Sequence, residues 1–145
     1  MKIVFGCDPN AEDLKQKLME YTKTLGHEVV DFGDKDPIYA NVAFRVAKAV
    51  AKKEYDRGIL LCGTGIGVSI AANKVKGAYA ACVHDVYQAQ RAELSNHANI
   101  LTMGSQVIGE QLAKELIKEY LSVTYDPNCR SKDKVQRIID FESEE

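Results

Sequence analysis

Apolar positions fall along this chain in two patterns. Runs of strand length that are apolar nearly throughout are separated by longer stretches in which apolar residues recur every three or four positions. That alternation marks βα units around a parallel sheet covered on both faces, and five such units can be counted. Lys2–Cys7 predicts a first strand, and Glu12–Leu25 a helix with Leu14, Leu18, Tyr21 and Leu25 on one face, stopped at Gly26. His27–Phe32 predicts a second strand closed by a turn at Gly33–Pro37. The helix expected over Ala40–Lys53 places Val42, Val46 and Val50 toward a core. Gly58–Cys62 is apolar throughout, as a strand buried on both faces should be. Beyond it come a glycine loop at Gly63–Gly67, a short helix over Val68–Asn73, a fourth strand at Tyr79–Val83 and a helix over Val86–Leu94. A fifth strand at Ile100–Met103 and a helix over Ile108–Tyr120 follow, and the tail Ser131–Phe141 has Val135, Ile138 and Ile139 at helical spacing. The elements predict a three-layer αβα sandwich on a five-stranded, mostly parallel sheet. Without a repeat or linker, the 145 residues read as one domain, 1–145.

Composition narrows the partners. With 46% apolar residues the chain can bury about 70% of its unfolded surface without a disulfide or structural metal. The 19 basic and 21 acidic residues are spread evenly, so neither a nucleic acid nor an anionic membrane is the expected partner; a small polar ligand is. No apolar run approaches the roughly 18 residues that span a bilayer. Four cysteines, Cys7, Cys62, Cys82 and Cys129, form no Cys-x-x-Cys pair, and Met1-Lys2 leads directly into a strand. A cytoplasmic chain with reduced thiols is expected.

Ligands of such sheets sit beyond the carboxyl ends of the strands, where the strand order reverses. That selects Asp8-Pro9-Asn10, Gly33–Pro37, Cys62–Gly67, His84-Asp85 and Gly104–Gln106. The most informative of these is Cys62-Gly63-Thr64-Gly65-Ile66-Gly67, a strand end running into a helix start. Alternate glycines let successive backbone N–H groups converge, and the helix start behind them favours negative charge: an anion cradle. It is no P-loop, since no Lys-Ser/Thr follows. The G-x-G-x-G spacing also departs from the dinucleotide fingerprint, though Asp85, 22 residues beyond Gly63, leaves a weak dinucleotide reading open. A cysteine-dependent phosphatase loop would need Arg where Val68 stands. What remains is a cysteine at the mouth of an oxyanion cradle, able to act as base or nucleophile. Cys7, Cys82 and Cys129 read as packing residues. A hydrolase pairing of Cys62 with His84 stays open at this point, as does a binding module without catalysis.

Gly6-Cys7-Asp8, the CGTGIG block at Cys62–Gly67 with Ser69–Lys74, Asn96 with Asn99-Ile100-Leu101, and Gly104–Gly109 resemble the type B ribose-5-phosphate isomerases. These share a family with galactose-6-phosphate isomerase, and the likeness runs from Met1 to about Phe141. The resemblance implies a flavodoxin-like or Rossmann-like domain, and a homodimer or dimer of dimers whose sites are shared between subunits. It also implies isomerisation of aldose and ketose phosphosugars without metal or cofactor. Cys62 would be the base, the N–H groups of Gly63, Gly65 and Gly67 would hold the enediolate, and Thr64 would move protons between its oxygens. Asp8, Pro9, Tyr39, Ile66, Asn96 and Gln106 would line the sugar. Arg130 and Lys134, four apart, would hold phosphate from the helix near 131–141, docked on the partner subunit.

Four positions depart from the family pattern. Pro9 and Ser95 stand where the family has His, the second being the ring-opening group, while Gln106 and Lys134 replace arginines. His84 either brings an imidazole to the site from the fourth strand or is a surface residue; His97, two positions from the matched Asn96, is expected to face elsewhere. A tetrose 4-phosphate cannot close a furanose, because the oxygen that would close it carries the phosphate. The missing ring-opening His therefore favours a tetrulose or tetrose 4-phosphate substrate, as in the erythrulose 4-phosphate branch of the family, over ribulose or ribose 5-phosphate. Hexose 6-phosphates rank third.

Overall fold

The apolar runs become β1 (Lys2–Cys7), β2 (Glu28–Asp31), β3 (Arg57–Cys62), β4 (Ala80–Cys82) and β5 (Ile100–Gly104) in the computed structural model, which describes residues 1–145. The helices are α1 (Glu12–Thr24), α2 (Tyr39–Ala51), α3 (Ile66–Asn73), α4 (Val86–Leu94), α5 (Glu110–Leu121) and α6 (Lys132–Glu144), with a single 3₁₀ turn at Pro9–Ala11. All strand pairs are parallel and the order is β2-β1-β3-β5-β4. The chain reverses direction across the sheet between β1 and β3. It then skips a place to lay β4 at the edge and returns to insert β5 beside β3. A strictly sequential order would have put β4 there instead.

The period of two along each strand divides the core into two layers. Ile3, Phe5, Ile59, Leu61, Leu101 and Met103 face the layer packed with α1, α4 and α5 residues such as Leu18, Ala89 and Leu116. Val4, Leu60, Cys62 and Ile100 face the layer of Val42, Val46 and Val50 of α2 and Val68 and Ala72 of α3. Cys62 therefore points to the same face as the starts of α2 and α3.

Three boundaries move from their sequence expectation for local reasons. α3 begins at Ile66, two residues early, because Gly65 at φ +80° turns the chain into the helix. α5 begins at Glu110 rather than Ile108, since the amides of Val107 and Ile108 both donate to the Gly104 carbonyl in a turn. β2 stops at Asp31, whose carboxylate accepts the Gly33 amide at 2.8 Å. The buried face of α1 is also rotated: Lys15, Leu18, Met19 and Thr22 are buried, while Leu14, Tyr21 and Leu25 are only half-buried. An apolarity pattern cannot select Lys15; two carboxylates make its burial tolerable.

Candidate active site

The third strand ends on a buried thiol. Cys62 is 5% exposed and its Sγ accepts the Gly65 N–H at 3.1 Å, three residues ahead in the loop. Gly65 is N-cap of α3, and a side chain there would set a Cβ 2.7 Å from the carbonyl carbon of Met103, besides straining φ. Thr64 is exposed, with its hydroxyl accepting the Ile66 amide at 3.2 Å, and Ile66 is exposed on the first turn of α3. A Cβ on Gly67 would overlap the phenol of Tyr39, so the first residue of α2 lies against the first turn of α3.

Register brings two further loops to Cys62. Asp8 follows the β1 end that pairs with Leu61, and its amide donates to the Leu61 carbonyl at 3.0 Å. Its carboxylate accepts the Asn10 amide at 2.7 Å, capping the turn in which Pro9 sits exposed. On the other side Gly104 pairs with Cys62. Ser105 donates to the Cys62 carbonyl at 2.9 Å and Gln106 to the Gly63 carbonyl at 3.0 Å. The side chain of Gln106 lies over Gly63, within about 4 Å of where its Cβ would be. One parallel edge thus assembles Asp8, Tyr39, the Cys62–Gly67 loop and Gln106.

Other thiols lie in different surroundings. Burial pushes the Cys7 thiol up to about 12, so it stays protonated as a packing group. Cys82 sits half-buried behind the loop, its Sγ 3.9 Å from the Thr64 carbonyl oxygen. His84 is exposed beyond β4, two strand spacings, about 10 Å, from β3. Its amide donates to the Gln88 side chain, and its imidazole makes no hydrogen bond within the chain.

The sequence pattern of the ribose/galactose isomerase family matches residues 3–138. The chain belongs to that family. It is 46% identical to D-erythrulose-4-phosphate isomerase 2 of Mycolicibacterium smegmatis, over 98% of this chain and 97% of that one. It is 43% identical, over the same shares, to the ribose-5-P isomerase B of Listeria innocua. Its fold superposes on the ribose-5-phosphate isomerase B of Clostridium thermocellum with a TM-score of 0.93, at 37% identity over 99% of each chain. This member of the ribose/galactose isomerase family is accordingly a sugar-phosphate isomerase, interconverting aldoses and ketoses.

Three expected site residues of this isomerase lie elsewhere in the chain. Asn96 precedes β5, at the amino end of the sheet, about 15 Å along the strands from the Cys62 edge. It lines a cavity of about 250 Å³ with His97, Tyr79 and, from α6, Val135 and Ile138. Arg130 and Lys134 are exposed on the segment that enters α6. One chain therefore presents these residues in two groups on opposite edges.

Sequence reading passed over three buried charges, Lys15, Glu93 and Arg57. Lys15 is fully buried between Asp31 and Asp34. Glu93, 3% exposed, accepts the Tyr125 amide at 2.9 Å and lies 3.1 Å from Nδ1 of His97, which stacks on Tyr125. The spacing Ala11, Lys15, Leu18, Thr22 was a helical stripe that could have exposed the first; Glu93 near the end of α4 and His97 in the turn beyond it, four apart, could have suggested the second.

Proposed function

We propose that this isomerase interconverts a tetrulose 4-phosphate and its aldose through a cis-enediolate, with Cys62 as the base. The observation that carries the proposal is the Cys62 sulfur at the mouth of the glycine cradle, with the Gly65 N–H 3.1 Å away. That donor and the start of α3 stabilise negative charge on the sulfur. The thiolate takes a proton from the carbon beside the carbonyl, the electron pair forms the enediolate double bond, and the same proton returns to the neighbouring carbon. Backbone N–H groups of the loop hold the developing oxyanion, and the Thr64 hydroxyl passes the remaining proton from one oxygen to the other. Asp8, Tyr39 and Gln106 bound the sugar. The step needs no metal, so turnover is expected to survive a chelator.

Substrate size follows from what is missing. Ser95 stands where a ring-opening imidazole would be, and a tetrose 4-phosphate stays open-chain. Similarity to the erythrulose-4-phosphate isomerase of M. smegmatis supports the same reading. Ribulose 5-phosphate is the second reading, supported by the likeness to the C. thermocellum structure; His84, on the cradle edge, is then the imidazole to test.

The division of polar residues between two edges supports a homodimer in which Asn96, Arg130 and Lys134 complete the partner's Cys62 site. Lys134 contributes a point charge to the phosphate and Arg130 a bidentate fork. No hydrogen bond to Cys62 comes from a histidine, which argues against a hydrolase pairing. The test is deuterium wash-in followed by NMR on four-, five- and six-carbon phosphosugars, with the unmodified enzyme and Cys62→Ala. Exchange fastest into the four-carbon ketose and lost in Cys62→Ala is the expected result. Absence of exchange into any of them, or release of inorganic phosphate, would overturn the proposal.

A further inference from the structure

The most completely buried charge in the molecule lies beneath the loop that leads to Tyr39. Lys15 of α1 has no exposed surface; its Nζ is 2.7 Å from Asp31 Oδ1 and 2.8 Å from Asp34 Oδ2. Asp31 ends β2 and also accepts the Gly33 amide, while Gly33 returns its carbonyl to the Cys7 amide at 3.2 Å. Asp34, 7% exposed, is the first buried residue of the link between β2 and α2. Asp36 closes the other half of that link, accepting the Ile38 amide at 2.8 Å and the Asn41 side chain at 3.0 Å. The next residue is Tyr39, which lies against Gly67 of the cradle.

Burying an ammonium is costly, and a buried ion pair often adds no net stability over apolar packing of the same volume. What such a pair does supply is one geometry. Here that geometry sets the path of a seven-residue link that leads into Tyr39. We infer that Lys15 is a positioning residue: its ammonium holds Asp34, and through the link holds the Tyr39 ring over the glycine cradle of the isomerase site. The inference rests on the proposed use of that cradle.

A double-mutant cycle tests it. Lys15→Met is expected to lower kcat/KM about tenfold, mostly through KM, and to lower Tm. In a Tyr39→Ala background the same change should alter kcat/KM by less than about twofold, while lowering Tm as much as before. A tenfold loss that recurs without Tyr39, or no loss in the first place, overturns the inference, because Lys15 would then serve the fold alone. If Lys15→Met does not fold, Asp34→Asn, which leaves the Lys15–Asp31 pair, is put through the same cycle with the same readings. Undiminished deuterium exchange in Cys62→Ala would instead overturn the base assignment. It would leave the cycle, read on overall turnover, untouched.

Discussion

At the carboxyl ends of β1, β3 and β5, the contacts that shape the cradle are mostly backbone amides: Asp8 to Leu61, Gly65 to Cys62 Sγ, Ser105 to Cys62 and Gln106 to Gly63. At the amino ends they are side chains. Arg57 donates to the Tyr120 and Val123 carbonyls and lies 3.6 Å from Glu93, and Asn99 bridges Tyr79 and Gly77. Amides fixed by strand register need no rotamer ordering: three of these donate to carbonyls and hold the loops in place, and the Gly65 amide is turned on the Cys62 thiol. Side-chain networks at the other edge satisfy buried charges and hold the ends of α4 and α5 together. One edge is shaped by backbone around the Cys62 thiol, and the other by buried charged side chains.

The sharpest way to break that contrast is Cys62→Ala. It should reduce isomerisation about 10³-fold while calorimetric titration still shows phosphosugar binding. Retained turnover would move the chemistry away from the cradle. Gly65→Ala comes next: the strained φ and the collision with Met103 should cost about 1–3 kcal/mol in denaturant unfolding and lower kcat about 10²-fold through the misplaced N–H.

Mixing subunits probes whether the two edges meet. Cys62→Ala and Arg130→Ala, each inactive or nearly so, should regain roughly a quarter of unmodified activity after unfolding and refolding together, because half the dimers are mixed and each carries one intact site. No recovery would place Arg130 outside the partner's site. Glu93→Gln should lower unfolding stability by about 2 kcal/mol, with kcat changed less than about twofold; a large loss of kcat would give Glu93 itself a part in the chemistry.

The smallest expected effect is on acid stability. Lys15 holds the Asp34 carboxyl below its ordinary value of 3.8. The unfolded state therefore takes up the proton first, and this contribution to stability is complete above that value and lost as pH falls through the folded one. Unfolding curves between pH 5 and 2 should show a shallower acid decline for Asp34→Asn than for the unmodified chain.

The fold was legible where neighbours in sequence are neighbours in space. Val42, Val46 and Val50 recur every four residues and are buried together, and the apolar run through Cys62 is a strand buried on both faces. Alternate glycines at Gly63, Gly65 and Gly67 marked the cradle in the same way, since its amides belong to consecutive residues. The burial of Lys15 was not legible, because it depends on carboxylates 16 and 19 residues away.

Local sequence thus accounts for the elements, the strand that ends on Cys62 and the glycine loop around it, because periodicity and turn chemistry act over a few residues. Tertiary structure decided which loops surround that thiol. Inserting β5 beside β3 put Gly104 and Gln106 at the cradle and moved His84 to the edge. The parallel direction of every strand then put Asn96 at the opposite end from Cys62. Neither the pairing order nor the sharing of residues between edges is written in any short window, because both arise from contacts between segments tens of residues apart.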